Sequence, residues 1–249
     1  MHRYFFEVSY NGTRFNGWQT QLNGLGVQQV LEEALSKVLR APITIVGSGR
    51  TDTGVHCRKQ FFHVDLVEVT NSTALLQNLN ALLPREVALH KMLKVHPLAS
   101  ARYDATARQY EYIITRKKNP LLVGLAWHCF KTLDVETMNK AAALLVGMHD
   151  FECFSKVKTD VNHFVCTVKK AEWTEKGDLL VFRIAANRFL RGMVRAIVGT
   201  LVDVGSGKIS IAQFKGIIES KNRKNAGMNV PPEGLYLMDV RYPKRIFIA

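Results

Sequence analysis

One stretch of the chain carries residue types suited to chemistry rather than packing: Gly49-Arg50-Thr51-Asp52-Thr53-Gly54-Val55-His56. A single carboxylate, Asp52, sits at its middle, and Arg50 lies two residues before it. Glycines at 47, 49 and 54 permit a tight, irregular backbone. A dinucleotide fingerprint needs glycine or alanine at the sixth position of G-x-G-x-x-G; counted from Gly47 that position is Asp52, and the match fails. A phosphate-cradling loop needs a terminal Gly-Lys-Ser/Thr, which is absent. Two readings remain. One is a polar turn between strands. The other is an aspartate presented by a rigid loop, able to act as nucleophile or base if a neighbouring cation keeps it ionised.

The elements that must position this loop follow from periodicity. Tyr4, Phe6, Val8 and Tyr10 alternate with Glu7 and Ser9 as a half-buried strand, ended by Asn11-Gly12. The aromatic and amide-rich stretch from Phe15 to Gln21 reads as a loop, either anchored to the core or forming a binding rim. Val27 to Leu39 is an amphipathic helix with Val27, Val30, Leu31, Ala34, Leu35 and Val38 on one face. Strands are expected from Pro42 to Gly47 and from Gln60 to Leu66, on either side of the glycine-rich loop. Asn71 or Ser72 caps a helix with a leucine stripe ending at Pro84, and Val87 to Val95 is a further strand. The order β-α-β-β-α-β is the ferredoxin-like pattern. We therefore expect a first domain over 1–102 and a second over 103–249.

In the second half Tyr110, Tyr112 and Ile114 alternate as a strand. Asp134 caps a helix from Val135 to Val146, with Gly147 at its end, and residues 147–163 read as loop. Cys166 to Trp173 and Leu179 to Ala185 form a hairpin across Glu175 to Asp178. A helix is expected from Arg188 to Val204, with Arg188, Arg191 and Arg195 along one edge of its apolar face. Ser210 to Gln213 opens a short helix with a capping box, and Leu235 to Tyr242 alternates as a strand.

Composition narrows the class. The 249 residues suffice for one large or two modest domains. No apolar run approaches the ~20 residues needed to cross a bilayer, and the start of the chain lacks a signal-peptide pattern. A cytoplasmic protein with no membrane association is expected. Cys57, Cys129, Cys153 and Cys166 do not cluster, which argues against a zinc site or a disulfide framework. Thirty-four Lys and Arg against 21 Asp and Glu leave a net charge of +13. That excess favours nucleic acid as partner over an anionic membrane.

The motifs form an ordered series. The loop 49–56 resembles the signature loop of the tRNA pseudouridine synthase A family. Further matches to that family are Tyr10-Asn11-Gly12, Phe15-Asn16-Gly17-Trp18-Gln19, Leu82-Leu83-Pro84, Ala101-Arg102-Tyr103-Asp104-Ala105 and Arg108-Gln109-Tyr110-Glu111-Tyr112. Gly147-Met148-His149-Asp150-Phe151, Asn187-Arg188-Phe189-Leu190, Met193-Val194-Arg195 and Pro232-Glu233-Gly234-Leu235 continue the series to near the end of the chain. Two departures stand out: Cys57 replaces a small residue, and Ala99-Ser100 stands where the family more often has Phe-His.

The resemblance implies an α+β pseudouridine synthase fold, two ferredoxin-like halves forming a continuous, mainly antiparallel mixed sheet around a central cleft. It implies a cofactor-free isomerisation of uridines 38, 39 and 40 in the tRNA anticodon stem-loop by a homodimer. Asp52 would be the catalytic aspartate, acting at the uracil or at the ribose. Arg195 would be its ion-pair partner, Arg50 would help extrude the target base, Tyr110 would stack on that base, and Leu235 would close the pocket. Tyr112 is expected in the core although it shares the strand face of Tyr110. A basic cleft fed by Arg14, Arg58, Lys59, Arg102, Arg108, Arg188 and Arg191 would hold the RNA backbone. The rival classes are an RNA-binding module without chemistry and a glycosidase or nucleosidase. The latter usually needs a carboxylate pair, and no second acid lies in the loop.

Overall fold

The structure, a computed structural model, describes residues 1–22, 24–157 and 161–248. The fold is α+β with mainly antiparallel strands. It divides into two compact units, Met1–Thr106 with Tyr236–Ala249, and Ala107–Leu235. Residues 236–249, which carry most of the last strand, group with the first unit.

In the first unit β1 (His2–Tyr10) lies between β3 (His56–Leu66) and β4 (Val87–Val95), antiparallel to both. The two-residue β2 (Val46–Gly47) pairs with β3, and β10 (Leu235–Arg241) runs parallel to β3 with Tyr236 opposite His56. Helices α1 (Val27–Leu39) and α2 (Ser72–Leu82) complete the expected β-α-β-β-α-β order. The side chain of Asn71 caps α2 by accepting from the Ala74 N–H.

Two expectations change here. Strand β1 buries Tyr4, Phe6, Val8 and Tyr10 on one face as expected, but on the other face Phe5 is buried too: Phe6 stacks on Phe62, while Phe5 is enclosed by Tyr242, Phe247 and His63. The C-terminal segment supplies that second cover, and a single strand's alternation cannot reveal it. The strand expected from Pro42 shrinks to two residues. The Ile43 N–H donates to Ser36 Oγ and the Ile45 N–H to Glu32 Oε1, so α1 side chains satisfy the backbone that a ladder would otherwise use.

In the second unit β9 (Leu179–Ala186) lies between β5 (Ala107–Thr115) and β8 (Val165–Lys176), antiparallel to both. Strand β7 (Gly147–Asp150) pairs outside β8, and β6 (Trp127–His128) pairs in parallel with the end of β5. Helices α3 (Val135–Ala143), α4 (Met193–Gly205) and α5 (Ile211–Ser220) belong to this unit. Met138, Ala142 and Leu145 are fully buried, and the Ser210 to Gln213 capping box forms.

The stretch 147–163 is not all loop: β7 and a short 3-10 turn at Glu152–Phe154 occupy its first half, and residues 158–160 lie outside the described residues. Lys176 pairs with Leu179, so the hairpin turns on Gly177 and Asp178 alone. Helix α4 starts at Met193, five residues later than expected. Gly192 has φ 74°, a left-handed conformation that ends any right-handed helix running into it. Arg188 and Arg191 therefore precede the helix, and the three-arginine edge does not form.

Candidate active site

The signature loop is held by the loop that follows β1. Its backbone is bonded at both ends: the Trp18 N–H donates to the Thr51 carbonyl (3.2 Å), and the Gly54 N–H donates to the Phe15 carbonyl (3.2 Å). The Val55 N–H closes a turn on the Asp52 carbonyl. Side chains add to this. Tyr10 Oη and Thr51 Oγ1 share a hydrogen bond of 2.8 Å, and the Gly12 N–H donates to His56 Nδ1 (3.1 Å). The His56 ring stacks on Tyr236, with centroids 4.5 Å apart. Phe15 and Trp18 are buried, so this aromatic loop is anchored in the core.

The two backbones approach closely enough to require glycine. A Cβ on Gly17 would stand 2.3 Å from the Thr51 carbonyl oxygen, and Gly17 has φ 84°. A Cβ on Gly12 would stand 2.0 Å from the Val55 carbonyl oxygen. The result is a rigid bend with Thr51 and Val55 buried, Asp52 half-buried and Arg50 exposed. Behind it on β3, Gln60 is wholly buried, and neither of its amide atoms hydrogen-bonds to a described residue.

The second unit organises three other expected residues. Arg195, in the first turn of α4, donates from Nε to the Val230 carbonyl (2.7 Å). Tyr112 is fully buried on β5, and its hydroxyl donates to the Pro231 carbonyl (2.7 Å). Burial, with Glu233 nearby, pushes that hydroxyl far above the usual tyrosine range. Together they clamp the segment that leads through Pro232–Gly234 to the buried Leu235. Tyr110 sits half-buried on the same strand opposite Ile184, its ring edge-on to Phe189 at 5.1 Å. Periodicity could place Tyr112 in the core. It gave no sign that Tyr112 and Arg195 grip one segment, because that segment lies more than 30 residues away from either.

The basic residues differ in what they already hold. Arg14 pairs with Glu86 (2.9 Å), and Lys59 pairs with Asp239 (2.9 Å) while lying over the Phe61 ring. The Lys59 and Arg241 cations keep the Asp239 carboxyl below its ordinary range, against the opposing effect of its burial. Arg58 and Arg102 are exposed in the first unit. In the second unit Arg108 donates to the Asn187 carbonyl and Arg188 lies 3.3 Å from His163 Nε2, while Arg191 is exposed. All four cysteines are free and buried. Among the described residues no three His, Cys, Asp or Glu side chains come together as a metal site. No helix among them is long and apolar enough to cross a membrane.

A family model described as tRNA pseudouridine synthase matches residues 8–104 and 141–243, a span that includes the signature loop and the Arg195 to Leu235 network. A tRNA pseudouridine synthase A from Parabacteroides distasonis is 48% identical over 248 residues, covering 99% of this chain and 98% of its own length. One from Porphyromonas gingivalis is 47% identical with both chains fully covered, and one from Exiguobacterium sibiricum is 37% identical with 98% of each covered. The chain belongs to the tRNA pseudouridine synthase family. It is by that membership an isomerase.

Proposed function

We propose that this isomerase converts uridines 38, 39 and 40 in the anticodon stem-loop of tRNA to pseudouridine, with Asp52 as its catalytic carboxylate. The observation that carries this reading is the signature loop itself. Its central Asp52 is half-buried on a backbone bonded at Thr51 and Gly54 to a neighbouring loop. A carboxylate held in a fixed geometry loses little freedom on meeting a substrate. The reaction breaks the bond from ribose C1′ to uracil N1, turns the base, and forms a bond from C1′ to C5. The proton lost from C5 is balanced by one gained at N1. No electron and no group leaves, so the chemistry calls for no cofactor or metal.

Arg195 is the ion-pair partner of Asp52, Arg50 helps extrude the base and holds a nearby phosphate, Tyr110 stacks on the extruded uracil, and Leu235 packs against it. Arg14, Arg58, Lys59, Arg102, Arg108, Arg188 and Arg191 track the RNA backbone. Arg14 and Lys59 exchange their present carboxylate partners when they do so. The enzyme works as a homodimer in the cytoplasm.

The test is carbodiimide mapping of pseudouridine in an unmodified tRNA transcript, after incubation with wild type or Asp52→Ala and no added metal. Stops at the anticodon stem-loop with wild type alone are expected, with transcript binding retained by the variant. Stops with both proteins would move the chemistry to another residue. Release of free uracil would mean hydrolysis instead.

A further inference from the structure

The connector between β4 and β5 carries an aromatic side chain that the proposed chemistry does not use. Tyr103 is 80% exposed, between residues that are firmly held. Arg3 Nη1 donates to the Ala99 carbonyl (3.0 Å), and the Ala101 N–H donates to His63 Nδ1 (3.1 Å). The Tyr242 hydroxyl donates to the Ala101 carbonyl (2.6 Å), and the Thr106 N–H to the Arg241 carbonyl (2.8 Å). Within the turn the Ser100 N–H donates to Asp104 Oδ2 and the Tyr103 N–H to Ser100 Oγ. The Arg102 guanidinium carbon lies 5.4 Å from the Tyr103 ring centroid.

A large ring presented to water on a fixed backbone has little freedom left to lose on binding. Tyrosine rings and guanidinium planes are the surfaces on which unpaired bases stack. We propose that Tyr103, with Arg102 across it, is a stacking platform for an unpaired nucleobase of the RNA substrate. The inference rests on the function proposed above. Charge favours RNA as the occupant: a chain carrying +13 attracts a polyanion, and the Arg102 cation beside the ring adds to that attraction.

The platform is tied to His63, seven positions along β3 from His56. At a strand rise of roughly 3.3 Å per residue the two are about 23 Å apart. The stacked base is therefore not the uridine reacting at Asp52 of the same subunit, and the platform positions substrate.

The experiment compares wild type, Tyr103→Ala and Tyr103→Phe in steady-state kinetics on a full-length tRNA transcript. A photocrosslink from a 4-thiouridine-substituted transcript, mapped by mass spectrometry, accompanies it. Loss of one base stack corresponds to roughly five- to 150-fold in binding. We expect Tyr103→Ala to raise KM about ten-fold, with kcat and melting temperature held, and Tyr103→Phe to restore KM. A raised KM at constant kcat is the mark of lost uniform binding. The crosslink is expected on the peptide containing Tyr103. An unchanged KM in the alanine variant, with crosslinks elsewhere, would overturn the platform and leave the isomerase reading standing. A shift of Tyr103→Ala to a smaller sedimenting species would place a second copy on this surface and overturn it too. Failure of wild type to bind or modify the transcript would overturn both readings.

Discussion

At the scale of single residues the site depends on two chain segments lying closer than side chains allow. Gly17 is the clearest case, since it is left-handed and faces the Thr51 carbonyl. The left-handed backbone alone costs an alanine on the order of 1–2 kcal/mol. The contact with the Thr51 carbonyl must be relieved by moving the loop that carries Asp52. Gly17→Ala is expected to lower both the melting temperature and kcat, the latter by ten-fold or more, with a smaller change in tRNA affinity. A wild-type kcat in a folded Gly17→Ala protein would show that the grip on the loop is irrelevant to turnover. Tyr112 acts by a different route. Its hydroxyl satisfies the Pro231 carbonyl, and removing such a partner costs about 1 kcal/mol. In a chain of this size that is a melting shift of roughly 2–4 °C. Tyr112→Phe should show that shift together with a several-fold loss in kcat, because the released segment leads to Leu235.

At the scale of elements, β3 links the signature loop at one end to the connector at the other. His63 is one of its buried titratable side chains, stacked beside Phe5 with Arg3 and Asp65 nearby. Burial lowers its pKa from the ordinary 6.5, with the Arg3 cation acting in the same direction and Asp65 opposing. The folded chain thus holds a neutral ring, whose Nδ1 accepts from Ala101. The unfolded chain takes up the proton near 6.5, so it binds more protons than the folded chain below that pH. Stability is then full above 6.5 and declines as pH falls through it, until the folded ring also protonates.

Asp65, whose pKa the Arg3 hydrogen bond lowers from 3.8, adds a separate loss only near and below that value. Melting temperature should therefore fall between pH 7.5 and 5.5 in wild type. In His63→Asn, which can accept from Ala101 without titrating, the slope over that range should flatten. An identical slope in both proteins would assign the dependence to another group.

At the scale of the whole molecule the controlling quantity is charge. A net charge of +13 on 249 residues implies that RNA binding releases many counterions. With several phosphate contacts, affinity for a tRNA transcript should drop by on the order of 10³-fold between 50 and 200 mM salt. Filter binding across that range measures the slope, and a flat response would refute the basic-surface assignment. Lys59→Ala should change the slope less than Arg58→Ala, since Lys59 already neutralises Asp239 while Arg58 is exposed.

Local pattern was enough for what local forces decide. The 3.6-residue period of apolar side chains set α1 to its observed ends, and the strand read from Val87 to Val95 coincides with β4. Cap chemistry placed Asp134 and Ser210 and narrowed the α2 cap to Asn71 or Ser72, because each cap bonds within three residues of itself. The series of motifs was enough for the family, since residues serving one chemistry recur in order whatever packs around them.

Tertiary structure alone decided the rest. Only the folded chain shows that Ile43 and Ile45 bond to α1, that the C-terminal segment covers Phe5 on the second face of β1, and that Gly192 turns left-handed ahead of α4. The same holds for the closure of Tyr112 and Arg195 on residues 230 and 231. Each joins groups far apart in the chain or turns on a single backbone angle, and neither leaves a periodic trace in the order of amino acids.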